Sequence, residues 1–183
     1  MTFVQAAIDD SGNEPNQRIY VLAGFVAPAE NWIAFSLAWD RALKAAPFPV
    51  AFVKYKEAMR LRGQFDERIG WTETKRDEFL ETLVGIIAKY APARFHASLH
   101  HAEYQRYIRD VAPARVRTLL TDTPYVLLAA RALVSGSAAI IECQLGDEAQ
   151  FFFDTQPGQD VVLTALWPGL ARSVSETPIE LPS

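Results

Sequence analysis

The chain predicts an α/β fold, a mixed sheet flanked by helices and opened by an N-terminal β-hairpin, in one domain over residues 1–183. Three observations predict it. Two nearly continuous apolar runs, residues 3–8 and 19–27, have strand length and are separated by polar turn chemistry. Further short apolar runs then alternate with stretches of helical periodicity, the pattern of strands connected by helices. The composition, 50% hydrophobic and 22% charged, is that of a globular protein long enough to bury one substantial core.

Residues 3–8 read as a central strand buried on both faces, closed by Asp9-Asp10-Ser11-Gly12-Asn13. Residues 19–27 form a second such run, so the two pair as a hairpin across the polar loop at 10–18. Pro28 opens a helix in which Trp32, Phe35, Trp39 and Leu43 make one apolar stripe. Pro47 and Pro49 end it, and residues 50–55 read as a third strand. Thr74 and Asp77 stand at capping-box spacing before Phe79, Leu80, Leu83, Ile86, Ile87 and Tyr90, the clearest helix in the chain. Residues 93–99 alternate like a strand, and a short helical piece follows at 102–110. Residues 125–143 are apolar almost all round, which predicts a deeply buried helix, with Cys143 as a small hydrophobe inside it. Residues 150–153 form the last strand, closed by Asp154 and a Gln156-Pro157-Gly158 turn, before a final helical stretch.

Composition also excludes functions. With 18 basic and 22 acidic residues the net charge is −4, so no basic field covers the molecule as it would a histone-like binder. One cysteine permits neither an internal disulfide nor a multi-cysteine zinc site, which fits a reducing cytoplasm. The N-terminus lacks the basic region of a signal peptide. Arg131 interrupts the most hydrophobic stretch, and only ten uncharged residues separate it from Glu142. That is short of the roughly 20 needed for a membrane span. A soluble protein without membrane contact is expected. No dinucleotide fingerprint, phosphate loop or serine-nucleophile elbow occurs. Residues 9–13 resemble a calcium loop only loosely, because the glycine is misplaced and position twelve would be Tyr20.

The chemistry-bearing residues are fewer. His96, His100 and His101 are the three histidines. In an extended segment His96 and His100 share a face, the geometry of a two-histidine metal pair. An exposed strand-end cluster is the plainer reading and the favoured one. Asp9 and Asp154 each follow an apolar strand directly, and Glu57 follows the third. Carboxylates side by side at buried strand ends repel each other until a hard cation such as Mg²⁺ occupies the gap. Asp10 points away from Asp9 while the strand stays regular, so it joins only through the turn. Against all this stands the ordinary use of aspartate in turns that end strands. Around Glu57, residues 54–62 hold four of the 18 basic residues, Lys54, Lys56, Arg60 and Arg62. This is the place to meet a phosphate, although a solvated basic loop explains it equally well.

Taken together, Asp9-Asp10-Ser11-Gly12, Ala23-Gly24-Phe25, Trp32, Trp39, Lys54-Tyr55-Lys56-Glu57-Ala58-Met59, Gly63-Gln64-Phe65, Arg76, Phe79 and residues 153–158 resemble domain-of-unknown-function family 3800. The resemblance covers most of the chain and implies a ribonuclease H-like fold, in which acidic residues on neighbouring strands bind divalent metal for phosphodiester chemistry. Asp10 stands where the family has glutamate, and Lys54 where some relatives carry histidine. The family continues past a stretch like Thr177-Pro178-Ile179 into a Leu-Gln-Ala-Ala-Asp segment that this sequence lacks, which implies a C-terminally truncated domain or an incomplete metal site.

The leading expectation is therefore a Mg²⁺- or Mn²⁺-dependent nuclease or related phosphodiesterase. Asp9, Asp10, Glu57 and Asp154 would form the metal set, with Asp9, Glu57 and Asp154 catalytic. Lys54, Lys56 and Arg60 would bind a nucleic-acid backbone through the local basic patch. The alternatives are a non-catalytic ribonuclease H-like scaffold binding nucleic acid or a protein partner, and a carboxylate hydrolase with Asp9 and Glu57 as its acid–base pair.

Overall fold

A computed structural model of the chain describes residues 2–14, 16–120, 124–154, 163–165 and 167–168. Its elements are β1 (Phe3–Ser11), β2 (Ile19–Pro28), α1 (Ala29–Ala45), α2 (Tyr55–Met59), α3 (Glu73–Tyr90), β3 (Ala93–His100), α4 (His101–Tyr104), α5 (Ala114–Leu120), α6 (Tyr125–Glu142) and β4 (Glu148–Phe153). The chain divides into two compact units, Met1–Pro28 with Ala93–Ser183, and Ala29–Pro92.

The first unit is built on a four-stranded mixed sheet in the order β3-β2-β1-β4. β1 pairs antiparallel with β2, β2 antiparallel with β3, and β4 lies parallel to β1 on its other side. The expected hairpin and α/β class are both present. The expectation that the first two strands are covered on both faces is overturned. Val4, Ala6 and Ile8 of β1 and Tyr20, Leu22 and Val26 of β2 are buried, while Phe3, Ala7, Ile19 and Ala23 are exposed. Small residues such as Ala7 and Ala23 let an exposed face read as apolar, because leaving a methyl group in water costs little.

On the buried face sits α6, packed against β3 and β2, with Leu128, Ala129 and Ala132 fully enclosed. Burying Leu128 alone contributes about 1.5–3 kcal/mol. α6 is long and apolar enough to cross a membrane by length and composition, although 44% of it is buried inside the structure, as in the core helix of a globular unit. Its burial is one-sided: Val134 and Ile141 are exposed, and so is Cys143, which caps the helix instead of filling the core. The turn after β4 (156–158) and the C-terminal segment (177–183) lie outside the described residues, and 163–165 and 167–168 are helical.

The second unit packs α1 against α3 around Phe65, Trp71, Phe79 and Leu83. Trp32 contacts Phe35 edge-on at 5.4 Å, and Phe35 stacks on Trp39 at 5.2 Å, so the aromatic stripe exists. None of α1 is fully buried. The cap of α3 is Thr72, whose hydroxyl accepts from the Lys75 N–H at 3.3 Å, and not Thr74. No strand forms at 50–55. Pro49 removes a donor there, and the Gln64 side chain takes the place of a neighbouring strand. Its Oε1 accepts from the Ala51 N–H at 2.6 Å, and its Nε2 donates to the Phe52 carbonyl at 3.1 Å.

At Gly24, between Ile8 and Phe95 in the sheet, a Cβ would sit 2.5 Å from the Ala7 carbonyl oxygen and 2.7 Å from the Phe95 ring. The backbone cannot retreat from that contact without loosening two strand pairings. Gly24→Ala is expected to lower stability by about 1–3 kcal/mol, read as a fall in the urea midpoint with an unchanged slope.

Candidate metal centre

β1 and β4 run parallel, with Ile8 opposite Phe153. The Asp154 N–H continues the ladder by donating to the Ile8 carbonyl at 3.2 Å, so Asp9 and Asp154 occupy neighbouring places at the end of adjacent strands. β1 runs on to Ser11, beyond its last pairing with β4. At that corner one carboxylate oxygen from each of Asp9, Asp10 and Asp154 lies within 4.8 Å of the others. Asp10 therefore joins the group while β1 is still a paired strand, contrary to the expectation from strict alternation. Asp9 accepts the Asp10 N–H at 2.8 Å.

Electrostatics set the three apart. Asp9 and Asp154 are exposed, whereas Asp10 is half-buried on the covered side of β1. Burial raises the Asp10 pKa above its ordinary 3.8, and the negative charges of Asp9 and then Asp154 raise it further. The buried Tyr20 hydroxyl opposes this by donating a hydrogen bond to Asp10. Tyr20 itself is held strongly protonated, by burial first and by the Asp10 charge second.

Sequence reasoning missed this supporting frame. Tyr20 stacks on His101 with centroids 5.8 Å apart and planes 6° from parallel. His101 Nε2 lies 2.8 Å from the Gly12 carbonyl, which only accepts, so His101 donates through that nitrogen and ties the turn after β1 to the end of β3. The alternation of Tyr20 with Leu22 and Val26 was the available signal for its burial, but nothing local pairs it with Asp10. His96 and His100 both lie on β3, His96 exposed, and His100 opposite Ile19.

Glu57, Lys54, Lys56 and Arg60 belong to the second unit. Glu57 lies in α2, not after a strand, and its Oε1 is 3.5 Å from Lys54 Nζ. Its other oxygen rests where a Cβ on Gly63 would be, and Gly63 has a left-handed φ of 61°. That carboxylate thus organises the loop around α2. Lys54, Lys56 and Arg60 are exposed.

Three carboxylates and no nitrogen or sulfur donor make a set for a hard cation, and their mutual repulsion is the charge such an ion would relieve. A scan of protein families, curated proteins and solved structures matches none of them to this chain.

A carboxyl whose pKa is higher in the folded than in the unfolded chain favours folding while it is protonated. It loses that contribution as pH rises through the folded value. By neutral pH the ionised Asp10 is a net burden. Asp10→Asn, which keeps an acceptor for Tyr20, is expected to raise the melting temperature at pH 7 by a few degrees. The gain should shrink as pH falls through the raised pKa of Asp10 and be lost below the ordinary carboxylate value of 3.8. Thermal scans of both proteins across that range are the measurement.

Proposed function

We propose that the chain is a Mg²⁺- or Mn²⁺-dependent phosphodiester hydrolase of ribonuclease H-like type, related to the family its motifs resemble. The observation that carries this is the convergence of Asp9, Asp10 and Asp154 within 4.8 Å at the ends of two parallel strands. Acidic residues on neighbouring strands are what that resemblance implies. When bound, the metal would supply an activated water and offset charge on the scissile phosphate.

The chain's own residues do the rest. Asp9 and Asp154 hold their carboxylates in fixed relation through the β1–β4 ladder and would offer a cation a preformed pair. Asp10 would supply the third oxygen, its orientation fixed by the hydrogen bond from the Tyr20 hydroxyl. Lys54, Lys56 and Arg60 provide the cationic surface that draws a phosphate backbone to a molecule of net charge −4. Glu57 acts in this reading as the organiser of that surface.

Calorimetric titration with Mn²⁺ is expected to show saturable binding that Asp9→Asn and Asp154→Asn each weaken severely. The loss should exceed the roughly 10–100-fold typical of an outer-shell partner. The same substitutions should leave the melting temperature of the metal-free protein unchanged or raised, since each removes a repelling charge. No binding at millimolar Mg²⁺ or Mn²⁺ would overturn the proposal in favour of a non-catalytic scaffold.

A further inference from the structure

The loop and helix around α2 expose apolar side chains where a soluble surface normally hides them. Phe52 is 50% exposed, Tyr55 67% and Met59 44%. Ala58 is fully buried, which fixes the roll of this short helix. At 100° per residue, Lys56 and Arg60 then point away from the core, and Tyr55 and Met59 share one flank a turn apart. Lys54 holds its ammonium 5.4 Å from the Phe52 ring centroid. Two carboxylates of this segment are engaged locally, Glu57 with Lys54 and Asp66 with Arg68 at 2.6 Å, while Glu67 is exposed. The result is a basic surface that carries two exposed aromatic rings, one of them with a lysine over it.

The platform is also held rigid. Phe52 stands on the stretch whose backbone is clamped at both Ala51 and Phe52 by the Gln64 amide. Tyr55 begins a helix anchored by Ala58 and by the Glu57 carboxylate seated against Gly63. A rigid ring that has already given up its conformational freedom stacks at less cost than a mobile one.

We infer that this surface, centred on Phe52, Tyr55, Lys54, Lys56 and Arg60, binds single-stranded nucleic acid, its cations on phosphates and its two rings on unpaired bases. Charge favours a polyanion, and the exposed rings select among polyanions. A duplex keeps its base faces stacked internally and offers nothing to Phe52 and Tyr55, whereas every unpaired base has a free π-face. The inference deepens the phosphodiester reading by naming its substrate class, and rests on it only for what becomes of the strand after binding.

The test is fluorescence anisotropy of the full chain with a labelled oligothymidylate of about 12 nucleotides, in EDTA and across a salt series. Removing metal separates the two readings, because binding here requires no hydrolysis and the metal titration requires no oligonucleotide. Wild type should bind the single strand in preference to a duplex of equal length. Phe52→Ala and Tyr55→Ala should each weaken binding about tenfold with the salt slope unchanged. Phe52→Leu and Tyr55→Leu should be no better, since apolar bulk does not replace a ring face. The triple change Lys54→Ala, Lys56→Ala and Arg60→Ala should instead flatten the slope, by about 0.7 for each phosphate that the variant no longer neutralises. All these side chains are exposed, so circular dichroism should be unaltered. The inference is overturned by any of three results. These are no salt-dependent binding, aromatic variants that bind like wild type, or anionic vesicles bound in preference to the oligonucleotide with affinity restored by the leucine variants.

Discussion

The candidate site depends on the parallel pairing of β1 with β4. The antiparallel pairings of β1 with β2 and of β2 with β3 bring no carboxylate to Asp9: its partners there are Ala23 and, one strand further, His96. Only β4, entering on the other side of β1 with Ile8 opposite Phe153, sets Asp154 beside Asp9. Parallel strands require a long crossover, and α6 is its main element, buried against the sheet that it closes. The core and the site are thus parts of one arrangement, since the packing that buries Leu128 and Ala132 also fixes where β4 can lie.

Around that constraint the protein tolerates an unfavourable charge pattern. Three carboxylates at one corner repel, and burial adds to the penalty on Asp10. The compensation is polar and local. The Tyr20 hydroxyl reaches Asp10, His101 stacks on Tyr20, and the His101 ring nitrogen holds the Gly12 carbonyl. Each link lowers the freedom of the chain just after β1, where the acidic residues would otherwise spread apart. A cation would remove the cause of the repulsion instead of bracing against it.

The sheet was legible where side-chain period decides structure. The alternation of Phe95 and Ala97 with Arg94 and His96 marks β3, and the apolar runs mark β1, β2 and β4. The false third strand at 50–55 shows the limit: Val50 is buried and the run is apolar, but its backbone partner is the Gln64 side chain, a long-range choice that no local pattern encodes. The uniform apolarity of residues 125–143 likewise concealed which side of α6 meets the sheet, leaving Cys143 exposed. For the site, strand-end aspartates were readable because turn chemistry and apolar runs meet at Asp9 and Asp154. The entry of Asp10 depends on where β4 stops relative to β1, which is a matter of register. The bracing by Tyr20 and His101 depends on the pairing of β2 with β3 and was invisible for the same reason.

The wide separation of Asp9 and Asp154 along the chain has a consequence in time. During synthesis from the N-terminus, β1, β2 and β3 are all made before α6 and β4. The meander can pair as soon as it emerges, but its edge beside β1 stays open, and Asp9 and Asp10 stand without their third partner. A nascent chain that has not yet made β4 therefore holds at most a two-carboxylate half-site. The three-carboxylate corner is complete only once β4 has docked beside β1.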